Sequence, residues 1–164
     1  MKRFVIAILV SNIAGVLTRV SSMFTRRSFN IDSLTVGETE SSEFSRITIT
    51  FRGDENTKTQ ILNQLLKLHD VKEAKVLESD TVLRELLLVK IKNCSETRQD
   101  VMAAVDIFRS KVIDYTADAL CCELTGESSK IDAFIELLKP FGIIEMCRTG
   151  VVAVERGSNC LKSN

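Results

Sequence analysis

The stretch LVSNIAGVLTRV near the start of the chain places Asn12 and Gly15 between an apolar run and a second apolar pattern. A strand that ends at this point and a helix that begins just beyond it leave unpaired backbone N–H groups and the positive end of a helix dipole at the loop. Such a terminus suits a carboxylate or a phosphate. The same residues also admit a plainer reading, in which Asn12 caps the helix and Gly15 lets the loop pack closely. Sequence physics leaves both open.

Other reactive side chains are sparse. His69, in KLHDVKE, falls at the end of a predicted helix beside charged residues, with no nucleophile in its pattern, and reads as a solvated helix end. The chain has no glycine-rich phosphate loop, no HExxH and no CxxC, and no cluster with metal-ligand spacing. Cys121 and Cys122 are adjacent, so on a strand they point to opposite faces and make a poor chelate. An odd total of 5 cysteines argues for reduced, mostly buried thiols rather than a disulfide framework. The expectation is a chain with no catalytic residues, no metal site and no cofactor of its own.

Composition narrows the partners. The 164 residues carry 22 basic and 22 acidic side chains and are 45% apolar, enough for a packed core in one medium domain or two small ones. Zero net charge gives no electrostatic case for nucleic acid or a membrane surface. One Tyr and no Trp argue against base stacking on a sheet. No run approaches the ~20 apolar residues of a membrane helix. The opening MKRFVIAILVSNIAGVL has the outline of an export signal. However, its apolar run from Phe4 to Val10 is short and no small-x-small cleavage site closes it. Ile13, Val16, Leu17, Val20, Met23 and Phe24 then continue at helical spacing, which predicts a first strand and helix in a cytoplasm-like compartment.

The elements that position this loop follow a regular order. Ile31 to Gly37 and SEFSRITITF read as strands joined by the hairpin loop GETESSE. Asp54 can cap a helix bearing Ile61, Leu62, Leu65, Leu66 and Leu68, and Val71 to Leu77 is a short strand. The second half repeats the order. LRELLLVKIKN is a strand, Ser95 opens a helix with Val101, Val105 and Phe108 in register, and VIDYT and ALCCELTG form a hairpin. Ser129 begins a helix faced by Ile131, Phe134, Ile135 and Leu138 and stopped by Pro140 and Gly142. IIEMC and GVVAVER supply one or two closing strands. The predicted fold is α+β, two consecutive ferredoxin-like βαββαβ domains over residues 1–78 and 82–157, with a polar, frayed tail at 158–164.

Several segments, in order and at matching spacings, carry a resemblance: SNIAGVLTRVSSMFTRRSFNIDSLTVGETE, SRITITF, LNQLLKLHDVKEAKV, RELLLVKIK, IFRSKVIDYT, LTGESSKIDAFIELLKPFGIIEMCRTGVV and VERG. Together they resemble the regulatory, small subunit of acetolactate synthase (acetohydroxyacid synthase) along nearly the whole chain. The resemblance implies an N-terminal ACT domain that binds a feedback effector, typically valine, and pairs with a second copy to form a homodimer. It implies a non-catalytic chain that activates a separate catalytic (large) subunit, which carries thiamine diphosphate, magnesium and FAD, in branched-chain amino acid biosynthesis. The implied location is the cytoplasm, or the plastid stroma for a plastid-encoded chain.

By resemblance, Asn12, Ile13, Ala14, Gly15, Val16 and Leu17 line the effector site, with backbone N–H groups on the carboxylate and aliphatic side chains on an isopropyl group, and Asn30 completes it from the other copy. Where the family usually has Arg-Gly-Tyr-Asn, this chain has Arg27, Ser28, Phe29 and Asn30. A left-handed backbone at Ser28 would cost about 1 kcal/mol. Ala14 stands where the family often has proline. Arg26 and Arg27 can contact the catalytic subunit or simply complement a helix C-terminus. Two rivals fit the pattern less fully: a stand-alone ACT module acting on another protein, and a small acylphosphatase-like enzyme.

Overall fold

The computed structural model describes residues 2–161. The chain divides into two compact units: the first comprises Met1–Val82 together with the segment beginning at Val151, and the second Leu83–Gly150.

In the first unit the order is β1 (Lys2–Ser11), α1 (Val16–Arg26), β2 (Ser33–Glu38), β3 (Phe44–Gly53), α2 (Glu55–Leu65) and β4 (Val71–Leu77), with sheet order β2–β3–β1–β4. The opening apolar run is thus a central strand, paired antiparallel with β3 on one side and β4 on the other. Period-two alternation sends Ile6, Ile8 and Val10 of β1, with Ile47, Ile49 and Phe51 of β3, to one face. Val16, Val20, Met23 and Phe24 of α1, and Ile61 and Leu65 of α2, pack on that face. Asp54 caps α2 by accepting the Thr57 N–H at 2.7 Å, and this bond holds its carboxyl below the usual range.

α1 ends in a Schellman motif, in which the N–H of Ser28 donates to Thr25 O at 3.0 Å and that of Phe29 to Phe24 O at 3.1 Å. The residue that must turn left-handed in this motif is Ser28, with φ 56°. The strain that its Cβ would cause there is therefore present.

The second unit repeats the order: β5 (Thr81–Lys92), α3 (Arg98–Phe108), β6 (Lys111–Tyr115), β7 (Ala119–Gly126), α4 (Ser128–Leu138) and β8 (Ile143–Arg148), arranged β6–β7–β5–β8. Its core joins Leu87, Val89 and Ile91 of β5 to Val101 and Val105 of α3 and Phe134 and Leu138 of α4. Cys122 faces this core while Cys121 faces away, and burial pushes the Cys122 thiol up to about 11. α3 starts later than its sequence suggests. Ser95 does not open it; a turn closed by the Thr97 N–H on Cys94 O at 3.3 Å precedes the helix, and Thr97 stands at the N-cap position without a side-chain capping bond. α4 begins one residue before Ser129, and the Ser128 hydroxyl bonds to the buried Glu85.

A last strand, β9 (Val152–Glu155), pairs with β5 and falls within the first unit. Arg46 donates to Ala153 O at 2.8 Å and Lys75 pairs with Glu155 at 2.8 Å. Val151, Ala153 and Leu161 are buried. Of the tail expected to fray, Ser158, Asn159 and Cys160 are exposed and Leu161 is buried; residues 162–164 lie outside the described residues.

Candidate functional site

The loop between β1 and α1 is held from two sides. The N–H of Ser11 donates to Asp70 O at 2.9 Å, and the N–H of Asn12 donates to Glu43 O at 2.8 Å. The Asn12 side chain then fastens onto the β2–β3 hairpin. Its Nδ2 donates to Ser42 O at 2.9 Å and to Glu38 Oε1 at 3.1 Å, while its Oδ1 accepts the Ser45 hydroxyl at 3.0 Å. Two acceptors on one side and a donor on the other fix the orientation of the amide.

Asn12 does not cap the helix. Gly15 occupies the N-cap position in a left-handed conformation, φ 85° and ψ −6°, with no side-chain hydrogen bond to the helix terminus. A β-carbon there would strain the backbone and lie 3.1 Å from Arg19 Nη1. Among the described residues, the N–H groups of Ala14, Gly15, Leu17 and Thr18 have no backbone acceptor, and the first turn of α1 has no acidic residue. The result is an open helix N-terminus with donors and a positive dipole end facing outward.

The side chains around it diverge. Ile13 and Leu17 are 57% and 42% exposed, whereas Val16 is 4% exposed and packs in the core. Val16 therefore corrects the expectation that its side chain meets an effector; helical geometry turns it inward, and only its backbone remains at the loop. Ala14 is exposed. Asn30 is exposed just before β2, and among the described residues no hydrogen bond joins it to the Asn12 loop.

Sequence reasoning did not single out Glu38, Ser42, Ser45, Arg19 or Asp70. The first three belong to a hairpin some thirty positions away from Asn12, a separation that no local pattern crosses. Arg19 and Asp70 form an ion pair of 2.6 Å beside Gly15. His69, next to Asp70, has a side chain 97% exposed, in keeping with a solvated helix end.

Comparison with known proteins follows the same division of the chain. Residues 6–73 match a family described as "AHAS small subunit-like ACT domain", and residues 84–157 match "Small subunit of acetolactate synthase". A relative from Methanothermobacter thermautotrophicus, named as a probable acetolactate synthase small subunit, is 48% identical over 159 residues, covering 96% of this chain and 95% of its own. The acetolactate synthase small subunit of Bacillus subtilis is 43% identical over 160 residues, covering 96% and 92%. The crystal structure of the small subunit from Thermotoga maritima superposes with a TM-score of 0.90 at 38% identity, over 97% of this chain and 100% of that one. An ACT unit followed by a second βαββαβ unit is thus a shared architecture, and this chain belongs to the acetolactate synthase small-subunit family.

Proposed function

We propose that this chain is the regulatory partner of an acetolactate synthase catalytic subunit and that it senses valine at the β1–α1 loop. The observation that carries the reading is the open N-terminus of α1, flanked by exposed Ile13 and Leu17. Unpaired N–H groups of Ala14, Gly15, Leu17 and Thr18 receive the carboxylate, and the two aliphatic side chains receive the isopropyl group. Asn30 of a second copy completes the site, so effector binding and pairing of ACT units are linked. Residues 1–78 serve sensing and pairing, and residues 82–157 serve contact with the catalytic subunit. That subunit supplies thiamine diphosphate, magnesium and FAD.

The energy is adequate. Micromolar affinity needs about −8 kcal/mol, and a few charge-assisted hydrogen bonds at roughly 1.5–3 kcal/mol each, with a buried isopropyl group, reach it. Inhibition then follows by linkage: valine favours one geometry of the paired copies, and the catalytic subunit is less active with that geometry.

Reconstitution tests this. Adding the chain to the catalytic subunit is expected to raise acetolactate formation and make it inhibitable by valine, and Asn12→Ala is expected to remove the inhibition. Valine inhibition unchanged in Asn12→Ala would overturn the site, and absence of activation by the wild-type chain would overturn the partnership.

A further inference from the structure

Arg19 lies one turn into α1, yet its guanidinium reaches back over the start of the helix. Nη1 stands 3.1 Å, and Cζ 3.8 Å, from where a β-carbon on Gly15 would be. Helical side chains lean toward the N-terminus, so position and direction agree. The group is aimed by Asp70, whose Oδ2 accepts from Nε at 2.6 Å. Asp70 is itself fixed to the loop, because its carbonyl accepts the Ser11 N–H at 2.9 Å. Among the described residues, Nη1 and Nη2 have no hydrogen-bond partner.

This is an unusual place for a cation. The positive end of a helix dipole disfavours one, and each of the other helices carries a carboxylate at its N-cap or in its first turn: Asp54 and Glu55 on α2, Asp100 on α3 and Glu127 on α4. α1 has neither, and carries a guanidinium instead. Asp70 neutralises that guanidinium from the Nε side only. Its Nη1 lies beside Gly15, at the start of the helix with the unpaired N–H groups, so an anion there would complete both sets.

We infer that Arg19, positioned by Asp70, selects the α-carboxylate of the effector by pairing with it beside Gly15. The inference rests on the reading of this loop as an amino-acid site. Its rival is that Arg19–Asp70 is simply an ion pair tying α1 to the start of β4.

Calorimetric titration of the full chain with valine and with valinamide separates the two. Valinamide keeps the isopropyl group and the amine and lacks the negative charge. The wild type is expected to favour valine strongly. Arg19→Gln is expected to weaken valine by about 10- to 100-fold, the loss of one or two charge-assisted bonds, while valinamide changes by less than about threefold. Arg19→Lys keeps the charge without the planar fork, and is expected to narrow the valine-to-valinamide ratio by about three- to tenfold. Asp70→Asn, which keeps an acceptor but removes the charge that aims the guanidinium, is expected to narrow the ratio in the same direction. A merely structural pair would lower both affinities together or neither. An unchanged ratio in the folded variants, with valine still binding the wild type, therefore overturns the inference alone. A wild-type chain that binds neither compound overturns the effector reading and this inference with it. Should Arg19→Gln fail to fold, the ratio in Arg19→Lys and Asp70→Asn decides.

Discussion

The two units solve the same joining problem with the same residue type and then part company. After β1, Asn12 donates its N–H to Glu43 O at 2.8 Å and its Nδ2 to Ser42 O at 2.9 Å. After β5, Asn93 donates its N–H to Asp118 O at 2.9 Å and its Nδ2 to Thr116 O at 2.6 Å. In both units an asparagine at the end of the first strand clasps the hairpin that follows the first helix. Beyond that, the loops differ. Asn12 Oδ1 accepts from Ser45, and α1 begins at a left-handed glycine with its terminus open. Asn93 Oδ1 accepts Arg98 Nε at 2.9 Å, from the first residue of α3, and Asp100 follows in the first turn. The clasp is therefore architecture common to the fold, and the open, unneutralised helix terminus is what is particular to the first unit.

The same contrast holds at the other helices. α2 is capped by Asp54, and the start of α4 is occupied by a buried carboxylate. Glu85, 3% exposed, accepts from Arg148 Nε at 3.0 Å and from the Ser128 hydroxyl, and Arg148 Nη1 reaches Asp132 at 2.7 Å. Burial pulls the Arg148 pKa down, but the bonds from Glu85 and Asp132 outweigh it and raise it. Removing one side of this pair is the largest perturbation expected. Arg148→Ala takes the guanidinium from a buried carboxylate and is expected to cost about 3 kcal/mol, near the low end for buried pairs because Arg148 is partly exposed. Urea unfolding of the full chain reads it. A loss within 1 kcal/mol would mean that the start of α4 is held by packing alone.

Next in size is the pair of clasps. Asn12→Ala and Asn93→Ala each remove two to three hydrogen bonds and are each expected to cost about 1–2 kcal/mol of stability. Titration with valine should separate them: the Asn12 variant loses affinity and the Asn93 variant keeps it. Equal loss of valine binding in both would show that the effector effect is only a stability effect, and the distinction between the loops would fail.

Legibility of the sequence follows the range of the physics involved. Alternation in SRITITF and the three-and-four spacing of Val16, Val20, Met23 and Phe24 are local, so strands, helices and the repeated βαββαβ order could be read directly. The unpaired terminus after Asn12 was legible for the same reason. What Asn12 grips was not, because Ser42 and Ser45 meet it only through strand register. The direction of Val16 was missed because a residue can border a loop with its backbone and a core with its side chain. Ser95 reads as the opening of α3, but a turn closed on Cys94 O comes first and the helix begins at Arg98. β9 pairs with β5 and also meets Arg46 and Lys75, contacts distant in sequence that leave no periodic signal.

The smallest effects concern the far ends of the two first helices, where the units agree. α1 ends through Ser28 at φ 56° and α3 through Arg109 at φ 54°. In the second case the Ser110 N–H returns to Val105 O at 2.9 Å, the bond that Phe29 makes to Phe24 O in the first. Both are Schellman ends with a side chain where glycine is unstrained. Ser28→Gly and Arg109→Gly are each expected to stabilise by about 0.5–1 kcal/mol, the relief of left-handed strain less the extra entropy of glycine in the unfolded chain. If the effect is backbone strain alone, the two gains match and valine affinity moves with neither. Ser28, however, sits two residues before Asn30, and Arg109 has no such neighbour. A valine affinity that shifts in Ser28→Gly by more than its stability does would show that the strained turn sets where Asn30 points, and the agreement between the two helix ends would then stop at the backbone.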